Sequence, residues 1–161
     1  LTVGQTLPRN YSIKEVPLLL KEMSDDLGER MRDENKLTEL VGLYIGYASN
    51  QGGFGRQISL INPTDDNEKL YKTIMTIFNE FIEDLPVRRI SICYGKLSDV
   101  KDYEQLTLFD DGKTQEEKRN LQKMVDFIHK KYGKNLLTRA SALLEESTAN
   151  DRHNLIGGHR K

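Results

Sequence analysis

The sequence is poor in several residue types that mark specialised proteins: its 161 residues include no tryptophan, one cysteine and three histidines. Because Cys93 is the single cysteine, the chain has neither a disulfide framework nor a multi-cysteine metal site. The histidines are too scattered in sequence to suggest zinc ligands. No apolar run approaches the roughly 20 residues that cross a bilayer, and no basic segment leads into an apolar one as in a signal peptide. We therefore predict a cytoplasmic protein without a membrane partner.

An excess of one charge sign is also lacking, since 24 Lys and Arg stand against 25 Asp and Glu for a net charge of −1. This balance excludes a chain whose whole surface binds nucleic acid, but it allows a local basic face. Residues 1–104 hold 13 basic and 17 acidic residues, and the acidic ones crowd the segments with a helical pattern. The segments with a strand pattern carry arginines instead. We predict a polarised domain whose sheet side is mildly basic and suits a phosphate backbone.

The length of the chain, 161 residues, suits one domain with a tail. The spacing of hydrophobic residues predicts its strands and helices. Four strands are predicted, at residues 1–7, 40–47, 54–61 and 87–95. Two helices are predicted between them, one starting between Ser12 and Glu15 and the other over 70–81. The order β-α-β-β-α-β is that of a ferredoxin-like α+β fold, in which a four-stranded antiparallel sheet carries both helices on one face. The chain begins at Leu1 without a methionine, and we expect it to be a piece of a longer protein.

The sheet face away from the helices is predicted to be open. Apart from Tyr44, its residues are small, polar or basic: Thr2, Gly4, Gly42, Gly46, Gln57, Ser59, Arg89 and Ser91. Such side chains do not bury a face in a core, and glycines allow another backbone to approach closely.

The character of the sequence changes after residue 100. We predict a domain over 1–100, a linker over 101–113 and a helical tail over 114–161, with helices at 114–132 and 135–146. The linker carries the run Gln105, Leu106, Thr107, Leu108 and Phe109. Its aliphatic and aromatic anchors suit a groove on a partner protein. The alternative is that this short apolar patch docks on its own domain.

Three segments, taken in order, carry a resemblance to a known family: Gln5–Tyr11, Gly52–Gln57 and Pro86–Ile90. With the order of strands and helices, they resemble the little-finger domain of Y-family translesion DNA polymerases, in particular the UmuC-like branch of Gram-positive bacteria. Residues 105–109 resemble that family's sliding-clamp-binding motif, and residues 137–159 resemble the end of its chains. The resemblance covers essentially the whole chain.

This resemblance implies a nucleoid-associated protein of DNA repair and the SOS response, whose open sheet face grips the backbone of template–primer DNA without reading sequence. The implied DNA contacts are Thr2, Gly4, Arg56, Gln57, Ser59, Arg88, Arg89 and Ser91. The implied contacts with the β sliding clamp of DNA polymerase III are Gln105, Leu106, Leu108 and Phe109. The parent enzyme would be a DNA-directed DNA polymerase with two Mg²⁺ ions in its palm domain. No part of this chain resembles the palm, so we expect neither catalytic residues nor a cofactor in it.

Two other functions fit the same strand order. An RNA-recognition-motif-like module for single-stranded RNA would place its RNP1 motif near Gly53–Gly55, but it needs aromatic side chains on the exposed face for base stacking. The positions after Phe54 are Arg56 and Ile58, and the first predicted strand has no aromatic residue. A ferredoxin-like protein-interaction domain is the other alternative, favoured by Tyr44 and the low net charge. Loss of binding with rising salt would separate phosphate binding from both.

Overall fold

A computed structural model describes residues 1–100, 112–156 and 159–160. The chain divides into two compact units, Leu1–Tyr103 and Glu104–Lys161, which are described separately below. Within the described ranges, no helix combines the length and apolar character that crossing a membrane requires.

The first unit is a four-stranded antiparallel sheet with two helices. Its elements are β1 (Thr2–Tyr11), α1 (Val16–Asp33), β2 (Lys36–Tyr47), β3 (Gly53–Thr64), α2 (Asn67–Phe81) and β4 (Val87–Asp99). The strands lie in the order β1-β4-β2-β3. Thus β4 lies between the two strands that α1 connects, and β2 lies between the two strands that α2 connects. This pair of interlocked split βαβ units confirms the predicted α+β fold.

Both helices pack on one face of the sheet, and one hydrophobic core fills the space between. Helix α1 contributes Leu19, Leu20, Met23 and Leu27, and α2 contributes Leu70, Ile74 and Ile77. The sheet contributes Leu7, Val41, Leu43, Ile45, Ile90, Ile92 and Tyr94. The alternation in β2 and β4 therefore separates core residues from open-face residues as the sequence predicts.

The two helices approach closely where Gly28 of α1 faces Asn67 of α2. A Cβ atom at position 28 would collide with the Asn67 side-chain oxygen. That oxygen accepts a 2.7 Å hydrogen bond from Arg32, and the Asn67 amide nitrogen donates a 3.0 Å bond to Asp25. A polar network on α1 therefore engages both ends of the Asn67 side-chain amide and aligns the helices.

Helix α1 begins at Val16, and Pro17 lies in its first turn, where no hydrogen-bonded N–H is needed. The residue before the helix is Glu15, whose carboxylate accepts bonds of 2.7 and 2.8 Å from the Ser12 amide and hydroxyl and pairs with Arg9 at 2.6 Å. The hydrogen bonds from Arg9 and Ser12 lower the pKa of Glu15 to about 2. The helix therefore starts at the Glu15 end of the predicted range, and its N-cap residue is Glu15, not the Ser12 that the capping-box spacing predicts.

Strand β1 is longer than predicted, because it continues past Pro8 to Tyr11. Regular pairing with β4 stops at Thr6 and resumes at Tyr11, with a register shift between. The missing N–H of Pro8 therefore falls in an unpaired stretch of an edge strand, where it removes no ladder bond.

The second unit contains α3 (Gly112–Tyr132), a 3₁₀ turn (Ala140–Leu143), α4 (Ala149–His153) and a small hairpin of β5 (Leu155–Ile156) and β6 (His159–Arg160). The prediction of a helix over 135–146 is wrong. Gly133 ends α3 with a φ of +86°, and of the following leucines Leu136 and Leu143 remain largely exposed. A segment this short needs apolar burial to hold a helix, and Ala142 is the one residue of 135–146 classed as buried.

Candidate nucleic-acid interface

The sheet surface opposite the helices, which we call the open face, is assembled by cross-strand register. Its rows, read in the order β1, β4, β2, β3, are Thr6, Arg89, Gly46 and Gly53; then Gly4, Ser91, Tyr44 and Gly55; then Thr2, Cys93, Gly42 and Gln57. A last row holds Gly95, Leu40 and Ser59. None of these residues is acidic, whereas exposed or half-exposed acids occur on both helices of the other side. The open face is therefore the side of the unit that a polyanion can approach without repulsion.

Most of the residues predicted to contact DNA lie together on this face. They are Thr2, Gly4, Gln57, Ser59, Arg89 and Ser91. The hydroxyls of Thr2 and Ser59, the Gln57 amide and the Arg89 guanidinium are donors of the kind that commonly bind phosphate oxygens. The Ser91 hydroxyl already donates to the Val3 carbonyl at 3.2 Å.

Arg56 does not belong to the open face. It stands opposite Leu43, a core residue, so its side chain leaves the sheet on the helix side. Its guanidinium carbon lies 4.9 Å from the centre of the Phe81 ring of α2, and Nη1 donates to the Gly55 carbonyl at 2.9 Å. Side chains alternate between the two faces along a strand, and Gln57 lies on the open face. The sequence alone therefore places the neighbouring Arg56 on the opposite face.

Arg88 occupies a β-bulge at the start of β4. Tyr47 pairs with Val87 and the preceding Gly46 pairs with Arg89, so β4 has one extra residue there. Bulges redirect side chains relative to a regular strand. Arg88 is half-exposed, and Arg89 is exposed and forms no ion pair with any residue that the structure describes. Arg89 thus places positive charge at one end of the open face, and Arg88 lies next to it in the bulge.

A shallow depression of about 460 Å³ lies in the middle of the open face. It is lined by Gly42, Leu43, Tyr44, Gly55, Arg56, Gln57, Ser91 and Cys93. Arg56 thus borders the depression, although its side chain leaves the sheet on the helix side. A Cβ atom at Gly42 would stand 2.5 Å from the Cys93 sulfur, so glycine is required for this close approach. The residues that line the depression include no acid, and together they give a surface onto which a backbone can settle.

The predicted clamp-binding residues Gln105, Leu106, Leu108 and Phe109 lie outside the described residues. In the ranges that are described, no three His, Cys, Asp or Glu side chains are placed to hold a metal ion.

Comparison with known proteins identifies the family. Residues 1–108 match the impB/mucB/samB family C-terminal domain. The chain is 31% identical over 160 residues to "Putative UV-damage repair protein UvrX" of Bacillus subtilis and 32% identical over 162 residues to "DNA polymerase IV 2" of the same organism. It is 28% identical over 161 residues to "DNA polymerase IV 2" of Halalkalibacterium halodurans.

Each of these alignments covers 98% of this chain and 38% of the relative. The chain thus spans little more than a third of the length of these curated relatives. The matched segment confirms the resemblance to the C-terminal region of Y-family polymerases. The chain belongs to the impB/mucB/samB family, and residues 1–108 correspond to the C-terminal domain of that family.

Proposed function

We propose that this chain is the DNA-positioning and clamp-recruiting region of an error-prone translesion polymerase that acts at the nucleoid in DNA-damage tolerance. The observation that carries the proposal is the charge asymmetry of the first unit. The rows of the open face contain no acidic residue and end in Arg89, next to Arg88 in the bulge, while α1 and α2 place acids on the opposite side. The open face therefore attracts a phosphate backbone, whereas the acidic helix side of the same domain repels it.

The open face lies against template–primer DNA through backbone contacts that carry no sequence information. Arg89 contributes the charge, and the hydroxyls of Thr2 and Ser59 donate hydrogen bonds. The Ser91 hydroxyl donates to the Val3 carbonyl at 3.2 Å and would have to exchange that bond for one to phosphate. Arg88 extends the positive end. This region positions DNA, and the nucleotidyl transfer, with its two Mg²⁺ ions, belongs to a palm domain that no part of this chain resembles.

Binding of the 161-residue chain to a duplex with a 5′ overhang tests this proposal. Arg89→Gln should weaken binding about fivefold at low salt, since one phosphate contact is lost. Lys72→Gln removes the same charge from an exposed position on α2 and should leave affinity within about twofold. Equal effects of the two substitutions would mean that net charge, rather than the open face, determines binding.

Residues 105–109 form the second half of the proposal, a tether to the β sliding clamp. A tether raises the local concentration of the enzyme at the primer end, so that a weak DNA grip suffices. Titration of a clamp from the same organism should show saturable binding that the Leu108→Ala/Phe109→Ala double variant loses. Absence of binding by the intact chain would remove the clamp assignment and leave the DNA-binding assignment intact.

A further inference from the structure

Tyr44 is the one aromatic residue in the four rows of the open face. It is 44% exposed, although it lies in β2, one of the two central strands. Its cross-strand neighbours are Ser91 on one side and Gly55 on the other, and Gly46 follows it on the same face. A large aromatic ring in the middle of a face of small residues is not needed by the core, which lies on the opposite side of the sheet.

The surrounding glycines determine how the Tyr44 ring lies. A Cβ atom built on Gly46 would stand 3.3 Å from the Tyr44 hydroxyl oxygen and 3.4 Å from Cε1, and one on Gly55 would stand 3.5 Å from Cδ2. Both edges of the ring therefore rest against glycine positions, one on its own strand and one on the adjacent strand. The missing side chains of Gly46 and Gly55 therefore leave space on both sides of the ring, and Tyr44 is 44% exposed, so part of the ring is accessible to a ligand on the open face.

A positive charge lies beside this ring. Arg89 pairs with Gly46, which makes it the diagonal neighbour of Tyr44 at a spacing of about 7–8 Å in a regular sheet. An aromatic face for a base next to a cation for a phosphate is the arrangement by which proteins hold single-stranded DNA without reading its sequence. The faces of paired bases are covered by their neighbours in a duplex, so a flat aromatic surface suits an unpaired base.

We propose that Tyr44 stacks on an unpaired base of single-stranded DNA, with Arg89 holding an adjacent phosphate. The open face would then hold the single-stranded part of a template as well as the duplex. This inference rests on the proposed function, because it assigns a further ligand to the same face.

The absence of tryptophan from the chain provides a direct reporter. Tyr44→Trp introduces a single indole at the stacking position, and its fluorescence should be quenched by an oligo(dT) of about 15 nucleotides, which is long enough to span a typical single-strand site. Tyr44→Leu keeps an apolar side chain and removes the π face, so its affinity for oligo(dT) should fall about 5- to 100-fold. Tyr44→Phe retains the π face and should bind within about twofold of wild type. A duplex, whose bases are already stacked on one another, should lose much less affinity on Tyr44→Leu than oligo(dT) does.

Four results would overturn the stacking role: no binding of oligo(dT) by wild type, unchanged affinity of Tyr44→Leu, indole fluorescence of the Tyr44→Trp variant that is not quenched at saturation, or equal losses for duplex and oligo(dT). A preference of about tenfold for oligo(U) would assign the face to RNA instead. Failure of the proposed function is distinguishable, because it would appear as wild-type chain that does not bind duplex. Thermal unfolding of each variant, followed by circular dichroism, checks that the fold is retained.

Discussion

The hydroxyl groups of Ser24 and Tyr94 lie 2.8 Å apart and join α1 to the central strand β4 inside the core. Both residues are buried. Burial raises the pKa of Tyr94, so its hydroxyl stays protonated and hydrogen-bonded across the range in which the protein is studied. A polar pair at this depth is stabilising only while both partners are present.

Removing this hydroxyl should destabilise the first unit. Tyr94→Phe should lower the free energy of unfolding by about 1 kcal/mol, the usual contribution of a hydrogen bond. Urea denaturation measures the change. Tyr44→Phe removes a hydroxyl from a half-exposed tyrosine of the same unit and should leave the free energy of unfolding nearly unchanged. Equal losses for the two variants would contradict a specific role of the Ser24–Tyr94 bond.

The contact between Gly28 and Asn67 predicts an unfavourable effect of alanine in a helix. Alanine ordinarily stabilises a helix interior by about 1 kcal/mol relative to glycine. Here the added Cβ would collide with Asn67, so Gly28→Ala should lower the free energy of unfolding by about 1–3 kcal/mol. In an Asn67→Ala background the same substitution should become neutral or stabilising. A stabilising effect in the wild-type background would disprove the close approach.

The lowered pKa of Glu15 predicts how the free energy of unfolding depends on pH. Hydrogen bonds from Arg9 and Ser12 lower the pKa of Glu15 to about 2 in the folded state, below the value of about 4.3 expected for an unfolded chain. Its contribution is therefore complete above the unfolded pKa and is lost as the pH falls towards the folded pKa. The difference in unfolding free energy between wild type and Glu15→Gln should be largest near neutral pH and shrink between about pH 5 and pH 2. A difference independent of pH would show that the carboxylate charge contributes nothing.

Arg56 and Arg89 carry the same charge on opposite sides of the sheet. Arg56→Gln should change duplex affinity by less than about twofold, whereas Arg89→Gln should weaken it about fivefold, because only Arg89 projects from the open face. Fluorescence anisotropy with one labelled duplex compares the two variants. If Arg56→Gln were the more damaging substitution, the DNA would have to reach the edge of the sheet at β3.

Much of this architecture is readable from the sequence, because one face of each strand is buried. The alternation of Val41, Leu43 and Ile45 with Gly42 and Tyr44 is enough to assign each residue to its face of the sheet. The family resemblance, in contrast, implies a DNA contact for Arg56 but does not say on which face of the strand its side chain lies.

The features that escaped prediction depend on tertiary context. Strand β1 can continue past Pro8 because its pairing with β4 is interrupted there, so that the missing N–H of proline removes no ladder bond. No local sequence pattern shows this interruption. The bulge at Arg88 likewise arises from the register of β4 against β2. The leucines of 135–146 have helical spacing, but Leu136 and Leu143 remain exposed, so the spacing has no burial to stabilise a helix.

Phosphate binding by the open face is tested most directly by the salt dependence of duplex binding by the 161-residue chain. The logarithm of the association constant should fall linearly with the logarithm of the salt concentration, with a slope of about −0.9 for each phosphate contacted. Arg89→Gln should reduce that slope by about one contact, and Lys72→Gln should leave it unchanged. Binding that does not change with salt, or a slope equally reduced by Lys72→Gln, would contradict a phosphate-binding open face.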